Sequence, residues 1–138
     1  MVVVDTSVVY KWFSPENEEL LSEALTLLKN SATLIAPDLI IYELANSWAT
    51  KTKLKNSQIK IFLKDFEEAE IKIEPVSFEL VRRAIDFSRK YHVSVYDATY
   101  AVLAAEKGCN FVTADSKFVA KVNLPFVQHL SGVGQDTN

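Results

Sequence analysis

Three glycines and four prolines among 138 residues leave little material for long irregular loops, so the chain reads as compact elements with short connections. The single cysteine, Cys109, excludes an intramolecular disulfide and suits a reducing compartment. It precedes an apolar run and reads as a small buried hydrophobe. The two histidines, His92 and His129, stand far apart and share no zinc-binding spacing with Cys109; both read as surface residues. No G-x-S-x-G elbow and no phosphate-cradling glycine loop occurs, which leaves serine-nucleophile and P-loop chemistry without support. No apolar run approaches the ~20 residues that span a bilayer. Met1–Asp5 is too short and too soon charged for a secretory leader, so the expected location is the cytoplasm, away from membranes. The formal net charge of −3 gives no overall sign of a nucleic-acid binder, which leaves any such contact to local patches.

Hydrophobic residues at 49% and charged residues at 24% are ordinary for a folded domain, and the length suits one core. We read one domain over residues 1–130 and a polar, glycine-containing flexible tail over 131–138. Short β-type runs alternate with helical stripes. The strands are expected at Val2–Asp5, Thr33–Ala36, Ile71–Pro75, Asn110–Thr113 and Pro125–Gln128. Leu20, Leu21, Ala24, Leu27 and Leu28 form one apolar helical stripe; Ile59, Phe62, Leu63 and Phe66 form a second, and Leu80, Val81, Ala84 and Ile85 a third. The segment 98–105 is apolar all round, which predicts a helix buried in mid-fold and capped at Gly108. Such alternation predicts an α/β fold, a parallel sheet between layers of helices.

This architecture gathers acids. Asp5 and Asp115 each follow an apolar strand. Glu43 falls in the second turn of the helix after the second strand, and Asp97 opens the helix that runs back before Asn110–Thr113. All four therefore lie at the carboxyl edge of the sheet, where open α/β sheets place ligands. Each acid also has a purely local reading. Asp5 precedes Thr6-Ser7 as a turn or cap residue, Asp97 completes a capping box begun by Ser94, and Asp115 caps a short helix over 117–122. Glu43 resists such a reading, because Leu39, Ile40, Leu44 and Trp48 surround it with apolar positions; Asn46, at i+3, is a candidate to orient it. Asp38, after Pro37, reads as a helix-start acid, as does the run Glu16, Glu18, Glu19, Glu23.

Two carboxylates about 6 Å apart repel by roughly 3 kcal/mol at an effective dielectric near 20. Four together persist with shared protons or a bound cation, and oxygen-only donors select Mg²⁺ or Mn²⁺. Thr6, Ser7 and Thr113 stand beside the acids, where a hydroxyl serves equally for a ligand water, a phosphate oxygen or a strand-end hydrogen bond. Lys51, Lys53, Lys55, Lys60 and Lys64 form a basic stretch, a solvated face or a path for a nucleic-acid backbone; Arg82, Arg83, Arg89 and Lys90 form a second.

Segments VDTSVVYKWF (4–13), APDL with YELAN (36–46), VYDATY (95–100) and VTAD (112–115) resemble the PIN-domain ribonucleases, most nearly the VapC-type toxins of toxin–antitoxin pairs. The resemblance runs in order over about residues 2–130. It implies a PIN-like three-layer fold with a parallel sheet of four to five strands in order 3-2-1-4-5. It also implies a Mg²⁺- or Mn²⁺-dependent endoribonuclease whose metal-site acids are Asp5, Glu43, Asp97 and Asp115. Thr6 and Thr113 match flanking polar positions, and Asn46 the position one turn past the glutamate. RNA as substrate, a VapB-type antitoxin and a homodimer follow as implied partners. A PIN nuclease of RNA maturation outside any such pair, and a non-catalytic metal-binding domain, stand as alternatives. A receiver-like phospho-acceptor lacks its lysine after the last strand, and a haloacid-dehalogenase-type phosphatase lacks its second aspartate, since Ser7 stands there.

Overall fold

A computed structural model describes residues 1–13, 19–30 and 33–134. β1 (Val2–Val4) leads into α1 (Thr6–Phe13) and α2 (Leu21–Lys29), then β2 (Leu34–Pro37), α3 (Leu39–Lys51) and α4 (Asn56–Glu68). β3 (Ile71–Glu74), α5 (Phe78–Tyr91), α6 (Val95–Lys107), β4 (Asn110–Thr113), α7 (Ser116–Val122) and β5 (Val127–His129) complete the order, followed by a 3₁₀ turn at Leu130–Gly132. The five strands are parallel in the order β3-β2-β1-β4-β5, as expected, with helices covering both faces.

The central strands carry continuous apolar residues because both faces are covered. Val3, Val4, Ile35 and Phe111 are buried, and α6 lies across β1, β2 and β4. Its run from Ala98 to Ala104 is buried without a break, which accounts for its lack of a polar face. Ser94 caps that helix by accepting from the Asp97 amide, and Gly108 ends it at φ +64°, a left-handed conformation that glycine adopts without steric cost. In α3, Ile40, Leu44 and Trp48 point into the core, with Phe13 and Phe62 packed on the indole at 5.7 and 5.6 Å.

The last strand shows the largest shift from its expected place. Pairing of the last strand begins at Val127 rather than Pro125: proline has no N–H to give the ladder, and the Val127 amide closes a turn onto Leu124 O at 3.1 Å. Beyond it, Leu130, the last residue of the expected domain, is fully buried, while Ser131 and Gly132 at the start of the expected tail are exposed. Residues 135–138 of that tail lie outside the described residues, as do Glu16 and Glu18 of the acidic run; Glu23 does stand in the first turn of α2.

Candidate active site

Register places the acids. Val4 pairs with Val112, so the residues after β1 and β4 emerge side by side at the carboxyl edge. Asp5 is clamped there. Its Oδ1 accepts from Ser7 Oγ at 2.6 Å and from the Val8 amide at 3.3 Å, and its Oδ2 accepts from Thr113 Oγ1 at 2.6 Å. Ser7 Oγ also accepts from the Ala114 amide at 2.9 Å, and Thr113 Oγ1 from the Asp115 amide at 3.1 Å. These bonds tie the start of α1 to the end of β4 around one carboxylate.

Glu43 is held differently. Thr6 Oγ1 donates to its Oε1 at 3.1 Å, and the Tyr100 phenol donates to the same oxygen at 2.5 Å. Asn46 lines the same cavity, but the hydrogen bonds to Glu43 come from Thr6 and Tyr100. Asp115 caps α7 through the Phe118 amide at 3.0 Å, and the Asp97 amide is capped by Ser94 Oγ at 3.0 Å. Capping contacts thus help to place Asp5, Asp97 and Asp115, whereas Glu43 is held by side chains from α1 and α6. Asp38 departs from a simple cap. It occupies the N-cap position of α3, yet its side chain accepts from the Val76 amide at 3.3 Å, bracing the turn after β3.

The electrostatics join the four. Burial raises the Asp5 carboxyl to about 6, against the pull of hydrogen bonds from Ser7, Thr113 and Val8, and Asp97 adds to the rise. Asp97 is raised by burial first, then by Asp115 and Glu43, with Ser94 opposing. Burial and the Glu43 carboxylate push the Tyr100 phenol well above its usual range, so it stays a donor. Among the described residues no lysine or arginine forms an ion pair with any of the four acids. Nor do three acidic, histidine or cysteine side chains there converge into a ready cage for a metal. An all-oxygen set of this looseness matches a small hard cation that keeps most of its waters and takes one or two carboxylates directly.

Two cavities flank the cluster. One of about 490 Å³ is lined by Thr6, Ser7, Tyr10, Glu43, Asn46, Ser47 and Lys51. The other, about 590 Å³, brings Asp97 and Asp115 together with His92, Ser94, Lys117 and Lys121. The first basic stretch thus reaches the site through Lys51. In the second, Arg82 and Arg83 are engaged by Glu79, and Arg83 also by Glu106 at 2.7 Å, which makes it a poor path for a polyanion.

Residues 2–123 match the family model of the PIN domain. The chain belongs to the PIN-domain family. This PIN domain is 29% identical to "Ribonuclease VapC3" of Pyrobaculum aerophilum over 124 residues, 87% of this chain and 93% of that protein. Its fold is similar to that of Mycobacterium tuberculosis VapC20, named a sarcin–ricin loop cleaving toxin, with a TM-score of 0.71 at 18% identity, covering 92% of this chain and 97% of the other. It is also similar to a chain of the VapBC2 complex of Rickettsia felis bound to promoter DNA, with a TM-score of 0.69 at 19% identity and coverage of 93% and 98%.

Two features of this PIN domain escaped the sequence. Tyr100 sits in an apolar run and reads there as core, which it also is; only the tertiary approach of α3 reveals its hydroxyl's partner. His129, expected at the surface, is partly buried. Its Nε2 donates to Ala114 O at 3.2 Å and its Nδ1 accepts from the Ser131 amide at 3.2 Å, bracing the backbone just before Asp115.

Proposed function

We propose that this PIN domain is a Mg²⁺- or Mn²⁺-dependent endoribonuclease and the toxin of a toxin–antitoxin pair. The observation that carries the reading is the set of four carboxylates at one sheet edge, of which Asp5 and Asp97 are raised, with no ion pair to a lysine or arginine among the described residues. The likeness to a ribonuclease over most of both chains supports the reaction, and the toxin and toxin–antitoxin names of its structural neighbours support the biological role.

In this mechanism Asp5 and Asp97 would hold the cation, directly or through water. Glu43 and Asp115 would complete the oxygen donors for it and orient a water toward the phosphodiester. A cation held there would supply Lewis acidity, lowering the pKa of water and stabilising negative charge on a phosphate. Thr113 and Ser7 keep Asp5 in place, and Thr6 does the same for Glu43. Attack by water predicts 5′-phosphate and 3′-hydroxyl ends. The direct test is cleavage of RNA with Mn²⁺ against an EDTA control, with end-group analysis; 2′,3′-cyclic phosphate products contradict this mechanism. The toxin role predicts growth arrest on expression, relieved by a small neighbouring reading frame that encodes the antitoxin.

Substrate contacts fall to the flanking cations. Lys117 is exposed, makes no ion pair among the described residues, and lines the cavity that holds Asp97 and Asp115. Lys117→Gln should raise KM for RNA roughly threefold and lower the slope of log KM against log salt by about 0.7, one phosphate contact on a single strand. An unchanged slope removes Lys117 from the substrate path.

A homodimer is the assembly we favour. Tyr42 is 81% exposed, Phe78 86% and Tyr96 62%, and Tyr42 and Tyr96 line a mainly apolar cleft of about 610 Å³ between α3, α5 and α6. Aromatic side chains so grouped mark association surfaces. Tyr42→Asp should weaken the dimer at least about thirtyfold, as loss of an interface anchor does. Sedimentation equilibrium reads this, and an unaltered association constant places the interface elsewhere.

A further inference from the structure

We propose that Tyr100 is a positioning residue for Glu43: its hydroxyl commits one carboxylate oxygen to the protein and leaves the other facing the site. The inference deepens the nuclease reading and rests on it. Tyr100 comes from α6, three residues after Asp97, and is 1% exposed. Its phenol and Thr6 Oγ1 lie 3.4 Å apart and both donate to Glu43 Oε1. Side chains from α1, α3 and α6 thus meet on a single oxygen atom. Among the described residues Glu43 Oε2 accepts no hydrogen bond.

A glutamate has several rotatable bonds, and fixing them costs entropy that its holding contacts must offset. Two donors on one oxygen do this here and leave the carboxylate's remaining oxygen without a hydrogen bond among the described residues, on a side chain that lines the cavity. Partners of this kind orient a group that contacts a cation and tune its basicity. The Tyr100 ring needs no help from its hydroxyl to stay put. It stacks on Phe111 with centroids 5.8 Å apart and planes at 13°. Removing the hydroxyl therefore isolates the effect on Glu43 from the packing of the core.

Tyr100→Phe should weaken Mn²⁺ binding, measured by calorimetry without RNA, by about tenfold, the range for loss of a group that supports a metal ligand. It should lower kcat by a similar factor with KM for RNA unchanged. In a Glu43→Gln background the same change should have no further effect, because the partner it acts through is already altered. Thr6→Val, which removes the other donor to that oxygen, should weaken Mn²⁺ binding about threefold, with Thr6→Ser restoring it. This second pair carries the test should Tyr100→Phe fail to fold. Mn²⁺ affinities within twofold of wild type for Tyr100→Phe or Thr6→Val overturn the proposal. So does an equal loss in kcat with and without Glu43. A wild-type protein that binds Mn²⁺ but cuts no RNA overturns the nuclease reading alone, while the affinity comparison still decides the role of Tyr100. A wild-type protein that binds no Mn²⁺ overturns both.

Discussion

Asp97→Asn should lower RNA cleavage by on the order of a thousandfold while the metal-free protein becomes more stable. Both effects come from one carboxylate. Asp97 lies where burial, Asp115 and Glu43 all disfavour its charge, so the folded protein carries that charge at a cost. Asparagine keeps the shape and removes the repulsion. It also keeps the helix start, because the bond to Ser94 Oγ is made by the backbone amide of residue 97. What it removes is a charged oxygen donor for the cation. A residue that serves the fold behaves in the opposite way, losing stability and activity together. Thermal denaturation in EDTA beside single-turnover cleavage in Mn²⁺ separates the cases. More than a tenth of wild-type activity in Asp97→Asn removes this residue from the catalytic centre.

The parts of this molecule legible in its sequence are those that short-range patterns determine. Val2–Val4 and Asn110–Thr113 read as strands because covered parallel strands need apolar residues on both faces, and each delivers an acid at its end. Ser94 and Gly108 bracket α6 by chemistry that acts within one turn. From these the shared edge followed, and with it the neighbourhood of Asp5, Glu43, Asp97 and Asp115. Partners set by tertiary approach were not legible. Asn46, the expected orienter of Glu43, is its helical neighbour, whereas the donors actually in place, Thr6 and Tyr100, come from 37 residues before it and 57 after. Ser7 likewise meets Ala114 across 107 residues, and the side chain of Asp38 meets Val76 across 38. β5 starts two residues later than its apolar pattern suggests for a local reason, the absent N–H of Pro125.

Without divalent cations, the protein should lose stability as pH rises from about 4 to 6 and then level off, the reverse of ordinary acid denaturation. Asp5 governs the sign. Its carboxyl titrates at about 6 when folded and near the ordinary 3.8 when unfolded. Between those values the folded state binds the extra proton, so stability is greatest at the acid end and is lost as pH climbs through the folded value. From pH 4.5 to 7.5 the loss is on the order of 2 kcal/mol, or roughly 4–8 °C in Tm for a chain of this size. Asp97, also raised, acts in the same direction. Glu74 acts in the opposite sense. Lys107 and Lys72 lower its pKa, so its contribution is lost only as pH falls below its ordinary 4.5, outside this range. Mn²⁺ reverses the trend because it binds the ionised carboxylates. At a hundred times its dissociation constant it returns about 2.7 kcal/mol at pH 7.5, and far less at pH 4.5, where protons compete. Asp5→Asn removes most of the pH slope and most of the response to Mn²⁺. Calorimetric scans at the two pH values, each with EDTA or Mn²⁺, measure all of this. A Tm that rises from pH 4.5 to 7.5 in EDTA shows that the folded protein favours Asp5 ionised even without a cation, and then the carboxylate cluster does not need one.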